Sequence, residues 1–152
     1  MGMTTFTGPI TAGDILNTSG TTLGQNIANV GYVDMTQTAA VTQSGGILST
    51  TPIVIPAGSQ ITSITLWVTA VWATTTTLGI GTTASATALT TAGAVSGAAL
   101  GLVSVTPGTS LTQINNWIDV GTTDVQLAIS TSTGTGTGWL TVKYTQALNL
   151  VP

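Results

Sequence analysis

The fold is decided by the stretch Ile64-Thr-Leu-Trp-Val-Thr-Ala-Val-Trp72. Every second residue from Ile64 to Trp72 is apolar, and Thr fills two of the four positions between them. A period of two is that of a β-strand, whose successive side chains point to opposite faces. The sequence therefore predicts a long strand with one buried face. Its second face is partly apolar, because Trp67 and Val71 lie on it.

Shorter stretches of the same kind occur on both sides of this strand. We expect strands at residues 32–43, 51–55, 78–82 and 102–105, with turn residues such as Pro56-Ala-Gly-Ser59 between them. Residues 83–100 are rich in Ala, Thr, Gly and Ser and are expected to form a long surface loop. Seven or eight short strands at this spacing predict an all-β, single-domain antiparallel β-sandwich or a barrel.

Two further elements are expected near the C-terminus. Residues 125–129 and 140–144 alternate in the same way, and the run Thr133-Gly-Thr-Gly-Thr-Gly138 between them suggests a hairpin connection. Residues 110–117 are the one helical candidate: Ser110 and Gln113 fit a capping box, and Leu111 begins an apolar period of three to four.

The first 28 residues differ from the rest of the chain. They are rich in Thr, Gly and Asn, and their apolar residues, among them Phe6, Ile10, Ile15 and Leu16, follow no sustained period. We therefore divide the chain into an extended N-terminal arm, residues 1–28, and a sandwich domain, residues 29–152. Such an arm has no core of its own, so these four residues are candidates for burial against a neighbouring subunit.

The composition argues against most catalytic chemistry. The chain has no His and no Cys, charged residues make up 3% of it, and its net charge is −3. Imidazole bases, thiolate nucleophiles and the usual metal or haem ligands are therefore missing. One Lys and no Arg provide no basic patch for phosphates. We expect no enzymatic activity, no cofactor, no nucleic-acid partner, no signal peptide and no membrane-spanning helix.

The four carboxylates leave two alternatives open. Asp14, Asp34, Asp119 and Asp124 could include a pair suited to a weakly metal-dependent hydrolase, although their spacing does not indicate one. Asp119 and Asp124 flank a Gly-containing turn and could hold a structural calcium ion. The favoured interpretation is that these two side chains accept hydrogen bonds from nearby backbone amides.

Three tryptophans are candidates for an interface. Trp72 belongs to the buried stripe, whereas Trp67 and Trp139 lie on the opposite faces of their strands. Trp117 lies in the expected helix. Exposed indoles serve subunit contacts and also stack on sugars, so Trp67, Trp117 and Trp139 are assigned to an interface, with glycan binding as the alternative.

Three segments in order resemble a known family. They are Thr51-Pro-Ile-Val-Ile-Pro-Ala-Gly-Ser-Gln-Ile-Thr-Ser-Ile64, Leu78-Gly-Ile-Gly-Thr-Thr-Ala84 and Trp139-Leu-Thr-Val-Lys-Tyr-Thr-Gln146. Over residues 32–147 the chain resembles the jelly-roll capsid decoration (cement) proteins of tailed double-stranded DNA bacteriophages. The resemblance implies a jelly-roll β-sandwich that forms a homotrimer on the outer surface of the phage capsid and bridges major capsid protein subunits.

The leading hypothesis is therefore a structural virion protein. The alternative is a tail-fibre, spike or lectin-like module that binds glycans. The low charge favours a permanently assembled protein, because charged surface normally keeps a free monomer dispersed. We accordingly expect the chain to have itself and a major capsid protein as partners.

Overall fold

Seven strands and one helix occur in the part of the chain that the structure describes. The computed structural model of the protein describes residues 32–44, 49–73 and 78–147. The elements are β1 (Tyr32–Ser44), β2 (Ser49–Ile55), β3 (Gln60–Ala70), β4 (Gly79–Thr82), β5 (Gly101–Val105), α1 (Leu111–Ile118), β6 (Val125–Ser130) and β7 (Thr133–Ala147). No helix in these residues is long and apolar enough to cross a membrane.

The strands form two antiparallel sheets, which confirms the expected all-β sandwich. One sheet has four strands in the order β1-β7-β3-β5, and the other has three in the order β2-β6-β4. Odd-numbered strands thus lie in the first sheet and even-numbered strands in the second, so every connection crosses from one sheet to the other. Connections that pass between two sheets in this way are typical of jelly rolls, so the strand order favours the jelly-roll prediction.

The core lies between the sheets, as the alternation predicts. From the four-stranded sheet, Leu66, Leu140 and Val142 point inward and are fully buried. From the three-stranded sheet, Ile80 and Leu127 do the same. The rest of the core comes from the same faces and from the connecting segments: Ala39, Val41, Ile53, Ile55, Ile61, Ile64, Val68, Trp72, Leu78, Leu89, Val95, Val105, Ile129 and Tyr144.

Two glutamines of β1 bind backbone groups of other segments through their side-chain amides. The Gln37 amide donates to the Val54 carbonyl at 2.6 Å, and its oxygen accepts from the Val54 N–H at 3.2 Å. Gln43 makes the same pair of bonds with Ala73, at 2.6 and 3.0 Å. Each side-chain amide therefore replaces a strand partner and satisfies backbone groups that would otherwise lack one.

The outer edge of β4 is covered by the long loop. The Ile80 carbonyl accepts from the Thr90 N–H at 2.9 Å, and the Ile80 N–H donates to the Thr90 hydroxyl at 2.7 Å. A Cβ on Gly81 would lie 2.2 Å from the Ser85 carbonyl oxygen. Residues 83–100 contain no helix or strand, as expected, and β4 depends on glycine for their close approach.

Two sequence-based expectations are wrong. The expected hairpin does not form, because β6 pairs with β2 and β4 while β7 pairs with β1 and β3. Residues 133–138 belong to β7 instead of a turn. The helix begins at Leu111 after Ser110, as expected, but its cap has no side-chain hydrogen bond, so the capping box is absent.

The expected division of the chain into an arm and a sandwich domain stays a prediction. The arm, residues 1–28, lies outside the described residues, and so do Phe6, Ile10, Ile15 and Leu16. Within the range assigned to the sandwich domain, the strands extend from Tyr32 to Ala147.

A candidate binding face on the four-stranded sheet

An apolar row runs across the outer face of the four-stranded sheet. Trp139 is the register partner of Ala40 on β1 and of Trp67 on β3, and Trp67 is in turn the partner of Leu102 on β5. Partners in antiparallel strands point to the same face. Trp67 is 52% exposed, Trp139 51% and Leu102 62%. We call Ala40, Trp139, Trp67 and Leu102 the tryptophan row.

Hydroxyl side chains flank the tryptophan row on both sides. On one side the register brings together Thr38, Thr141, Thr65 and Ser104. The Thr38 and Thr141 hydroxyls lie 2.9 Å apart, so one donates to the other. On the other side, the Thr69 and Thr137 hydroxyls lie 2.8 Å apart. Hydroxyls that already bond to each other lose little when water is removed from this face.

The outer face is nearly free of charge. Asp34 and Lys143 are the only charged residues in its four strands. The Asp34 carboxylate accepts a hydrogen bond from the Thr145 hydroxyl at 2.8 Å. Lys143 lies four residues along β7 from Trp139, which is about 13 Å in a strand. The tryptophan row therefore has no charged neighbour in the adjacent hydroxyl rows.

The other two tryptophans have different surroundings. Trp117 is half-buried on α1, and its indole N–H donates to the Leu89 carbonyl at 2.9 Å. Trp72 is 2% exposed, as the sequence predicts for a core residue. The structure therefore brings Trp67 and Trp139 together on one surface and places Trp117 in a packing role. Its assignment to an interface stays a prediction.

Two members of the tryptophan row were not among the residues singled out from the sequence. Alternation along their own strands predicts that Trp67 and Trp139 point away from the core, and both are about half exposed. Leu102 and Ala40 join them only through the pairing of β5 with β3 and of β1 with β7. Pairing of strands that are distant along the chain leaves no local pattern. The one local indication is that Leu102 falls on the opposite face of its strand from Val103 and Val105.

Of the two carboxylates that flank the Gly-containing turn, Asp119 binds a nearby backbone amide, as expected, whereas Asp124 binds one in the connection between β2 and β3. Asp119 accepts from the Gly121 N–H at 2.9 Å, and Asp124 accepts from the Ala57 N–H at 2.9 Å. In the described residues, no three acidic, His or Cys side chains gather where they could hold a metal ion. Asp14 lies outside these residues.

A small cavity lies beside α1. It measures about 190 Å³ and is lined by Thr82, Ala88, Leu89, Asn116, Val120 and Val125. Pockets for small organic ligands measure about 300–1,000 Å³. The cavity is below this range, and the Asn116 amide that lines it already donates to the Ala88 carbonyl at 2.8 Å. The outer face is therefore the stronger candidate site.

Comparisons with known proteins give one structural likeness to report. The chain is similar to a protein in the acidic stable capsid structure of Helicobacter pylori bacteriophage KHP30, with 14% sequence identity and a TM-score of 0.43. The match covers 74% of this chain and 87% of the other. No protein-family model and no curated protein matches the sequence. A likeness of this size carries no conclusion about function, which has to be argued from the surface itself.

Proposed function

We propose that this chain is a structural protein of a bacteriophage particle and acts by binding, without catalysis. More specifically, it decorates the outer surface of the capsid as a homotrimer and bridges major capsid protein subunits. The observation that carries the proposal is the tryptophan row, an apolar surface on a nearly uncharged face. The resemblance of residues 32–147 to capsid decoration proteins supports the same function.

The physical reason is the free energy of the exposed row. Contiguous apolar surface on a protein marks a contact site, because burying it is favourable and leaving it in water is not. Trp is enriched at such contacts. An exposed sheet face suits a broad partner surface better than a small ligand. On a capsid each contact is repeated many times, so modest contacts sum to a large stabilisation.

Purified particles provide the test. Phage particles from the source of this sequence are separated on a density gradient, and their proteins are quantified by mass spectrometry. We expect this chain at about one copy per major capsid subunit. Its absence, or a level far below that ratio, would show that decoration is the wrong function.

Add-back of purified protein tests which surface attaches to the particle. Protein with W67T and W139T is added to particles stripped of the native chain, and its binding is compared with that of an L111S control. Leu111 is also apolar and exposed, but it lies on α1. If the tryptophan row attaches the chain to the particle, the double variant binds less than the native chain, while the L111S control binds like the native chain.

A glycan-binding module is the second candidate, and the adjacent indoles of Trp67 and Trp139 favour it. Sugars stack on exposed aromatic rings, and the neighbouring hydroxyls could bond to sugar hydroxyls. Both indoles are about half exposed on the outer face of a sheet. Binding on a glycan array that is lost in W67T and W139T would favour this function over decoration.

A further inference from the structure

We propose that the outer face of the four-stranded sheet pairs with the same face of a second copy of this chain. This deepens the proposed structural function and rests on it in one respect, namely that the face is a protein contact. The pair is related by a two-fold axis that runs parallel to the strands, between β3 and β7. Three observations support a second copy as the occupant.

The first observation is that the tryptophan row is complementary to itself. Its order across the sheet is Ala40, Trp139, Trp67, Leu102. A two-fold axis between the two indoles reverses this order in the partner. Each Trp139 then faces Trp67 of the other copy, and the small Ala40 faces the large Leu102. Indoles in contact and small side chains against large ones are what close sheet packing requires.

The second observation is that every polar row faces its own kind. The same axis places Thr65 opposite Thr141 of the other copy, and Thr38 opposite Ser104. Lys143 on β7 faces the uncharged Ser63 on β3 of the other copy. The hydroxyls of Thr38 and Thr141 already bond to each other within one sheet. Removing water from the face therefore leaves few polar groups without a partner.

The third observation is the size of the face. With strands about 4.8 Å apart and a rise of about 3.3 Å per residue, the four strands present roughly 700 Å² on this side. In the pair, the five residues of β5 face β1 of the other copy and the eleven residues of β3 face β7. The shorter strand of each facing pair limits the contact to about 500 Å² per copy, or about 1,000 Å² in total, which is the least expected of a specific interface. Two sheets that pack face to face keep their strand directions within about 30° of each other, and a two-fold pair of one surface forms a closed interface.

The first experiment measures the mass of the purified full chain by light scattering after size exclusion, at micromolar concentration. We expect an even number of copies in the native protein. In the double variant W67T/W139T we expect half that number of copies. This means one copy in place of two, or three in place of six if another surface also makes trimers. L111S is the matched control and keeps the native mass. An unchanged mass in the double variant would overturn the proposal.

Charge complementation separates lost pairing from misfolding. Variant T65D with T141D makes the face acidic, and variant T65K with T141K makes it basic. Like charges on facing rows should keep each variant at half the native mass, while an equimolar mixture recovers the native mass because Thr65 faces Thr141 of the partner. Each variant is first shown to have the native circular dichroism spectrum. A mixture that stays at half mass would overturn the proposal.

The outcomes distinguish this inference from the proposed function. Pairing is measured on purified protein alone, whereas decoration is measured by the content of particles. If the double variant W67T/W139T keeps the native mass in solution but no longer binds stripped particles, the face contacts a capsid protein and self-pairing is wrong. If the variants halve the mass and the native chain is absent from particles, pairing is supported and decoration is wrong.

Discussion

At the scale of single residues, Trp72 explains two glycines that the sequence alone did not. A Cβ on Gly136 would lie 2.6 Å from Cγ of Trp72, and a Cβ on Gly97 would lie 2.8 Å from its Cβ. The Trp72 backbone N–H also donates to the Gly97 carbonyl at 2.9 Å. The indole is thus held between two backbones that approach too closely for any side chain. Glycine is required there for space.

This contact predicts the effect of adding one methyl group. G136A should lower the free energy of unfolding by about 1–3 kcal/mol, because the buried indole has to move. The matched control T135A changes an exposed neighbour in the same strand and should change it by less than about 0.5 kcal/mol. Both are measured by urea unfolding.

A double variant checks the cause. In a W72L background the smaller side chain leaves room, so the further cost of G136A should fall below about 1 kcal/mol. An equal cost in both backgrounds would mean that the strand, and not Trp72, resists the methyl group.

At the scale of elements, α1 packs with its polar side inward. Gln113, Asn116 and Trp117 donate to the consecutive carbonyls of Thr87, Ala88 and Leu89, at 2.9, 2.8 and 2.9 Å. Leu111 is 76% exposed on the other side and Ile118 57%. The helix therefore fixes the long loop by hydrogen bonds, and the apolar period in its sequence marks the side that faces away from the core.

This arrangement predicts which helix variants lower stability. W117F keeps a ring but removes the donor to the Leu89 carbonyl, and should cost about 1–3 kcal/mol in the free energy of unfolding. L111S removes far more apolar surface from the helix, but it should change the free energy of unfolding by less than about 0.5 kcal/mol, because that surface is already in water. The two values come from urea unfolding followed by circular dichroism. A larger cost for L111S than for W117F would contradict the observed orientation of the helix.

The same elements show what the sequence can and cannot predict. Alternation identified most of the strands, the inward face of β3 and the exposed positions of Trp67 and Trp139, because these depend on neighbours along the chain. It did not predict which strands pair. A run such as residues 133–138 looks like a hairpin turn until its glycines are seen against the side chains of Gln43 and Trp72. The tryptophan row likewise depends on register, which is a long-range property.

At the scale of the whole molecule, the scarcity of charge bears on how the chain associates. The net charge of −3 gives two copies little mutual repulsion. The two charged residues in the four strands of the face, Asp34 and Lys143, lie outside the tryptophan row and the hydroxyl rows beside it. Pairing through the tryptophan row should therefore depend on apolar burial and very little on charge.

Salt dependence tests this directly. Between about 0.05 and 0.5 M sodium chloride, the dissociation constant of the native pair should change by less than about twofold, because the tryptophan row and the hydroxyl rows beside it hold no charge to be screened. Ammonium sulfate should tighten it, because excluded salts favour apolar burial. The mixed pair of T65D/T141D with T65K/T141K provides the internal control, since its opposed charges should make it weaken as chloride rises. If the native pair weakened as much as this control, charge and not the tryptophan row would hold the copies together.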